Sequence, residues 1–282
     1  MKLHQLLRNA KSIALAQLTL AAIVLTSAAA QAASFGYITG TSNPGGGDGN
    51  PWDTSTNDQA MDTAFGAGNW DKLSFGNAVG SGIFNPDAYK VLFFDGSDSL
   101  TDQFRSFLDT NRTALESWVA AGGSLFLNAA RNTSFGDLDL GFNAILHNDY
   151  YDTASYTGTA YDPTQPIFAG PHGATGTSFI GNFFAHDTVI GVGLTSLING
   201  SNGSVLAEKS YGLGRVLFGG MTAADFHSPQ PQAQYLRANI LSYAESKVGT
   251  KSVPEPGTVT GLLAIGSLGI GGILKRKQKQ AA

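Results

Sequence analysis

The chain has no cysteine among its 282 residues. That excludes disulfides, thiolate metal sites and a cysteine nucleophile, and it leaves the redox compartment unreadable from thiol usage. Charge is scarce as well. Asp, Glu, Lys and Arg make up 13% of the residues, about half the share usual in globular proteins. Basic residues are scarcest in the middle. Eight of the 17 Lys and Arg sit at the ends, and Glu255 is the only acidic residue outside 33–250, which leaves nine basic against 20 acidic side chains there. Such a segment lacks the cations that displace counterions from nucleic acid, so no nucleic-acid partner is expected. Long apolar runs are missing except near the termini. What is abundant is glycine, 36 residues, together with Ser, Thr and Asn, a composition closer to extracellular proteins than to cytosolic enzymes. A hydrophobic content of 42% suffices for one large core, so the length predicts one domain plus end segments.

The first 32 residues have the three parts of a secretory signal peptide. Lys2, Arg8 and Lys11 form a positive start, Ile13 to Thr26 a mostly apolar stretch, and Ala30-Gln31-Ala32 an A-x-A site with cleavage before Ala33. Ala28-Ala29-Ala30 is an alternative site, and an uncleaved membrane helix is disfavoured because the run is short for a span. Signal peptidase is thus the first expected partner.

The other end has its own grammar. A linker over 249–257 contains Pro254-Glu255-Pro256, where two prolines remove two backbone donors and favour an extended, readable strand. Thr258 to Leu274 then runs 17 residues without a charge, long enough for a helix of roughly 26 Å. This is slightly short of a ~30 Å hydrocarbon layer, a gap that snorkelling of Lys275 can close. Lys275, Arg276, Lys277 and Lys279 follow in a basic tail over 275–282, which orients a transmembrane helix with the tail in the cytoplasm and the main domain outside. The order Val253, Pro254, Glu255, Pro256, Gly257, apolar helix, basic cluster resembles the PEP-CTERM sorting signal of exported bacterial proteins. The resemblance implies recognition by an exosortase, cleavage near the Pro-Glu-Pro, and passage through an inner-membrane intermediate to the cell envelope or the extracellular matrix. An ordinary, permanent tail anchor with an incidental Pro-Glu-Pro is the alternative.

Between the ends, residues 33–248 read as one extracytoplasmic α/β domain. Ser34 to Gly40 reads as a first strand, and residues 41–59 as a long irregular loop. Asp48, Asn50, Asp53, Asn57 and Asp58 in that loop offer oxygen ligands, but their spacing fits no EF-hand, so a solvated loop is expected over 43–58. "YKVLFFDG", a helical pattern through Phe104, Phe107, Leu108, Leu115, Trp118 and Val119, and "SLFLNAA" make a βαβ unit. Thr113 and Glu116 suggest a capping box dividing that helix, and Gly122-Gly123 ends it. Further strands are expected in "DTVIGVGLTSLI", "SVLAEKSYG" and "GRVLFGGM", the last two joined by a tight turn at 211–214, before a final amphipathic helix with Tyr235, Leu236, Ile240 and Tyr243 on one side. Residues 131–171 carry few regular signals.

This layout, with "ALESWVAAGGSLFLNAA" in the middle and "YGLGRVLFGGMT" and "LRANILSYA" at the end, resembles the class I glutamine amidotransferase-like, flavodoxin-like fold. The resemblance implies a mostly parallel sheet with flanking helices, a nucleophile on the turn after a strand, and a late catalytic His. The turn here reads Asn128-Ala129-Ala130-Arg131, without Cys or Ser, and His227 is followed by Ser228 and Pro229 rather than by a Glu two residues on. No catalytic residue, cofactor or metal site is therefore assigned. Loops at the carboxyl ends of parallel strands gather at one cleft, which makes Asp95, Asp98, Asn128, Arg131, Asp225 and His227 the candidate binding residues. His147, His172 and His186 are read as structural or surface groups, and the Gly-rich stretch 170–178 lacks the Lys of a P-loop. Tyr150, Tyr151, Tyr156 and Tyr161 have the chemistry for stacking on sugars, or for packing on the sheet. The expectation is a non-enzymatic surface or matrix protein that binds polysaccharide or protein. The alternative is an exported hydrolase using His227 and aspartates, with or without a divalent metal.

Overall fold

A computed structural model of the chain describes residues 34–41, 49–132, 136–148 and 153–248. The signal segment with Ala30, Ala32 and Ala33, the residues Asp48, Tyr150 and Tyr151, and everything from 249 onward, including the sorting motif, the apolar 258–274 stretch and the basic tail, lie outside the described residues. Among the described residues no helix is long and apolar enough to cross a membrane.

The large sheet has ten strands. Five lie side by side and parallel: β2 (Trp70–Ser74), β1 (Ser34–Thr39), β3 (Tyr89–Asp95), β4 (Ser124–Asn128) and β12 (Gly214–Gly219). Beyond β12 the direction alternates through β11 (Gly203–Tyr211), β10 (Thr195–Gly200), β7 (Ser155–Ala160), β8 (Ser178–Ala185) and the two-residue β13 (His227–Ser228). A second, antiparallel sheet holds β5 (Gly136–Gly141), β6 (Ala144–Asn148) and β9 (Thr188–Gly191). The expectation of a mostly parallel, flavodoxin-like sheet is thus corrected to a mixed sheet plus an antiparallel one. The physical reason lies in the connections. A parallel neighbour needs a crossover of a dozen or more residues, whereas β10 to β11 and β11 to β12 are joined by two residues each, which permits only antiparallel hairpins.

Alternation along the buried strands sorts side chains to the two faces. Leu92, Phe94, Leu125, Leu127, Val216 and Phe218 pack under α2 (Thr101–Ala120) through Phe104, Phe107, Leu108, Leu115, Trp118 and Val119. The same apolar cluster takes in Leu138, Leu140 and Leu146 of the second sheet. On the opposite face Val91, Phe93, Phe126 and Leu217 meet α1 (Thr56–Phe65) and α4 (Gln232–Glu245) through Ala60, Met61, Leu236, Ile240 and Leu241. A short helix, α3 (Pro166–Ala169), packs on α4.

The β3–α2–β4 unit forms as its pattern predicts. Several finer expectations change. The loop expected over 41–59 ends at Ser55, because Thr56 begins α1. The helix α2 is continuous through Thr113, and Glu116 instead accepts the backbone N–H of Phe142 at 3.0 Å. Residues 187–198 form two strands, β9 and β10, in different sheets, and Gly193 takes a positive φ of 75° between them. The region 131–171 carries three strands and α3 in its described part.

Candidate functional site

The carboxyl ends of β1, β3, β4 and β12 converge on one edge, where a buried polar network is built on Asp95. Its carboxylate accepts from Asn57 Nδ2 at 2.8 Å, from the Ser97 N–H at 3.0 Å, from the Ser97 hydroxyl, and from Asn128 Nδ2 at 3.3 Å. Asn57 Nδ2 also donates to the Tyr37 hydroxyl, which donates to Asn50 Oδ1, both at 3.1 Å. Asn128 donates to the Met221 carbonyl at 2.9 Å, and the Ala130 N–H donates to Ser97 Oγ at 2.8 Å. Asp95 is 2% exposed, and burial raises its pKa while Arg237, Ser97 and Asn57 pull it back down.

Arg237 enters this network from α4. Its guanidinium is buried over the Phe93 and Phe126 rings, at 5.9 and 5.7 Å, and Nη2 donates to the Thr222 carbonyl at 2.8 Å. Burial lowers its pKa and the Asp95 charge opposes that shift. Thr222 in turn holds His227. The Thr222 hydroxyl gives its proton to the Phe183 carbonyl at 2.7 Å, so in the 2.8 Å contact with His227 Nε2 the imidazole is the donor. His227 lies 4.3 Å from the Phe184 ring, and burial, helped by Arg237, lowers its pKa to about 3. The imidazole is therefore neutral at pH 7.

The expected cleft residues separate into three groups. Asp95, Asn128 and, through Thr222 and Arg237, His227 belong to the closed network. Arg131 points elsewhere: its fully buried guanidinium pairs with Asp187 and donates to the Leu146 carbonyl at 2.9 Å, pinning β6 of the second sheet to the end of β4. Burial raises the Asp187 pKa to about 6 against the pull of Arg131. Asp98 and Asp225 alone stay at the surface. Asp98 accepts from Asn132 Nδ2 at 2.9 Å, and Asp225 accepts from the Thr56 hydroxyl at 3.4 Å.

The sequence reading missed Ser97, Arg237, Thr222 and Asp187, and it placed Asn57 in a solvated loop rather than in this network. Arg237 did leave a signal, since it stands between Leu236 and Ile240 on the apolar side of a helix and a cation there needs a buried partner. His147 Nδ1 meets Asp137 at 2.6 Å, across the β5–β6 ladder. Asn57 Nδ2 is used by the network, and Asp58 Oδ2 pairs with Lys72 at 3.0 Å and accepts from Asn50 at 2.8 Å, while Asn57 Oδ1 and Asp58 Oδ1 are buried without a hydrogen-bond partner. The Gly-rich stretch is held by Asn239, which donates to the Ile167 and Gly173 carbonyls and accepts the His172 N–H. Among the described residues no group of three or more His, Asp or Glu is gathered as a metal would require.

Comparison with known proteins divides the chain in the same place as its composition does. Residues 252–277 match the PEP-CTERM protein-sorting motif. The motif marks an exported protein, processed by an exosortase at the membrane and then released to the cell surface or outside. It leaves the domain before it unassigned. No curated protein matches the chain in sequence. Among solved structures, a β-galactosidase from Bacillus circulans is similar at 12% identity and a TM-score of 0.45, over 77% of this chain and 32% of that one. A cytoplasmic protein from Salmonella typhimurium LT2 gives 11% identity and a TM-score of 0.47, over 76% and 99%. A ThuA-like protein from Bacteroides uniformis gives 11% and 0.40, over 76% and 93%. The chain thus spans about a third of the β-galactosidase it matches. Such partial likenesses say nothing of activity, and they lend no support to a glutamine amidotransferase fold.

Proposed function

We propose that residues 34–248 form a non-catalytic binding domain, carried to the cell envelope or extracellular matrix by the sorting signal, where it holds polysaccharide or protein. The observation that supports this reading is the closure of the Asp95 network. At the edge where a doubly wound sheet would expose reacting groups, Asp95, Asn128 and His227 are each at most 4% exposed and spend their hydrogen bonds on one another or on the chain. A His whose pKa lies near 3 and whose Nε2 is held by Thr222 is a poor general base at neutral pH.

The test incubates processed protein, purified from its own cells, with extracellular matrix from those cells. Cosedimentation without newly released reducing ends or peptides supports the binding role. Release that disappears in His227→Gln would instead establish the exported hydrolase and overturn it.

A further inference from the structure

Outside the closed network the same edge carries aromatic rings that belong to neither core cluster. Phe226, Trp52, His186, Phe183 and Tyr156 form an unbroken series, with successive centroids 5.5, 6.1, 5.3 and 4.8 Å apart. Four separate segments supply them: the 3-10 turn before α1, the 3-10 turn before β13, the end of β8 with the corner after it, and the start of β7. Because β7 and β8 are antiparallel, the start of one and the end of the other reach the same edge as the carboxyl ends of β1 and β12. Tyr156 is 54% exposed and Phe226 40%, while Trp52, Phe183 and His186 are partly open.

Two features set this series apart from loose surface packing. Trp52 and Phe183 hold positive φ angles of 53° and 62°, as does Asp53 at 52°. Bulky side chains rarely occupy that region, and such strain is found where a structure must aim a side chain. The second is chemical. Asp53 and Asp225 follow Trp52 and precede Phe226 in the chain, and both are exposed, while Asp98 acts electrostatically on His186. Burial lowers the His186 pKa, which leaves a neutral imidazole between the rings. The neighbouring cation, Arg131, is buried on Asp187.

We infer that this ring series is a binding row for an uncharged polysaccharide, with sugar C–H groups packing on the exposed parts of Phe226, Trp52 and Tyr156 and sugar hydroxyls donating to Asp98 and Asp225. The edge-to-face contacts around His186 and the Tyr156–Phe183 stack hold these rings in place. Aromatic faces are electron-rich and attract the partly positive C–H groups of a sugar ring, and carboxylates are acceptors that match its hydroxyls. The same carboxylates repel acidic polysaccharides and acidic peptides. The inference rests on the binding role proposed above and specifies its ligand.

The probes are laminarihexaose, cellohexaose, xylohexaose and mannohexaose, with polygalacturonate as the acidic control, titrated into the processed protein by calorimetry and tryptophan fluorescence. At least one neutral probe is expected to bind saturably and polygalacturonate not at all. Trp52→Ala and Phe226→Ala are each expected to weaken that binding at least tenfold without moving Tm by more than a few degrees, while Ile190→Ala, on the exposed side of the second sheet, leaves it unchanged. Tyr156→Ala serves as a further variant should Trp52→Ala fail to fold. Binding to no neutral probe, or binding indifferent to these substitutions, overturns the inference. If the protein then still sediments with matrix protein, the binding role stands and only the ligand was wrong. Cleavage of a bound probe would instead overturn the binding role itself.

Discussion

His227 shows most directly how burial decides what a residue can do. Sequence position suggested the carboxyl edge; in the structure His227 opens the two-residue β13 and pairs with Gly181 of β8. What sequence position left out was its company: the Phe184 ring beside it, the Thr222 hydroxyl on its Nε2, and the Arg237 charge nearby. Its folded pKa near 3 lies below the unfolded value near 6.5. Between pH 6.5 and 3 the unfolded chain therefore binds a proton that the folded chain does not, and stability falls with acidification through that window. From this group alone the loss between pH 7 and pH 5 is about 2 kcal/mol. His172 and His186 are shifted the same way, so the contrast with a variant isolates His227. Urea unfolding at the two pH values should show a smaller drop in His227→Gln, by about 2 kcal/mol; equal drops would mean that His227 is not held neutral. Asp95 and Asn128 were legible for a simple reason, since polar residues ending apolar strands have few other places to go. Arg131 was misplaced because its direction depends on Asp187, 56 positions away.

At the scale of elements, legibility followed the length and purity of the hydrophobic pattern. The buried strands β3 and β4 carry unmixed signals and form where they were expected, and so does the twenty-residue helix α2, though without the division expected at Thr113. The sheet's direction was misjudged although the decisive sign was present: the tight turn at 211–214 is too short for a crossover. That turn sits against the end of α2, with the Leu213 N–H on the Ala120 carbonyl at 2.9 Å and the Arg215 N–H on the Gly123 carbonyl at 3.3 Å. A Cβ at Gly214 would stand 2.1 Å from the Gly123 oxygen and 2.2 Å from the Val119 oxygen. Both are backbone atoms and cannot rotate away. Gly214→Ala should therefore destabilise the domain by roughly 3 kcal/mol or more, or prevent it from folding. A midpoint of urea unfolding unchanged by the substitution would contradict this packing of the hairpin on α2. The second sheet was invisible in sequence because β5, β6 and β9 are short and form their ladders with one another.

For the whole molecule, the address and the proposed binding surface are separate pieces of chemistry. The address was readable because three features coincide in about thirty residues, and a local motif does not depend on tertiary contacts. The proposed binding edge was readable only as a place. Which side chains stay open there depends on four segments meeting, and none of them announces its partners. The two pieces combine in a simple account: export, exosortase processing, then a domain presented outside with an aromatic edge and a sealed polar interior. Intact mass spectrometry of the protein from envelope and released fractions of its own cells tests this most directly. The account predicts a species that begins near Ala33 and ends close to Pro254. A species that retains Lys275 to Ala282 and remains in the membrane fraction would contradict it.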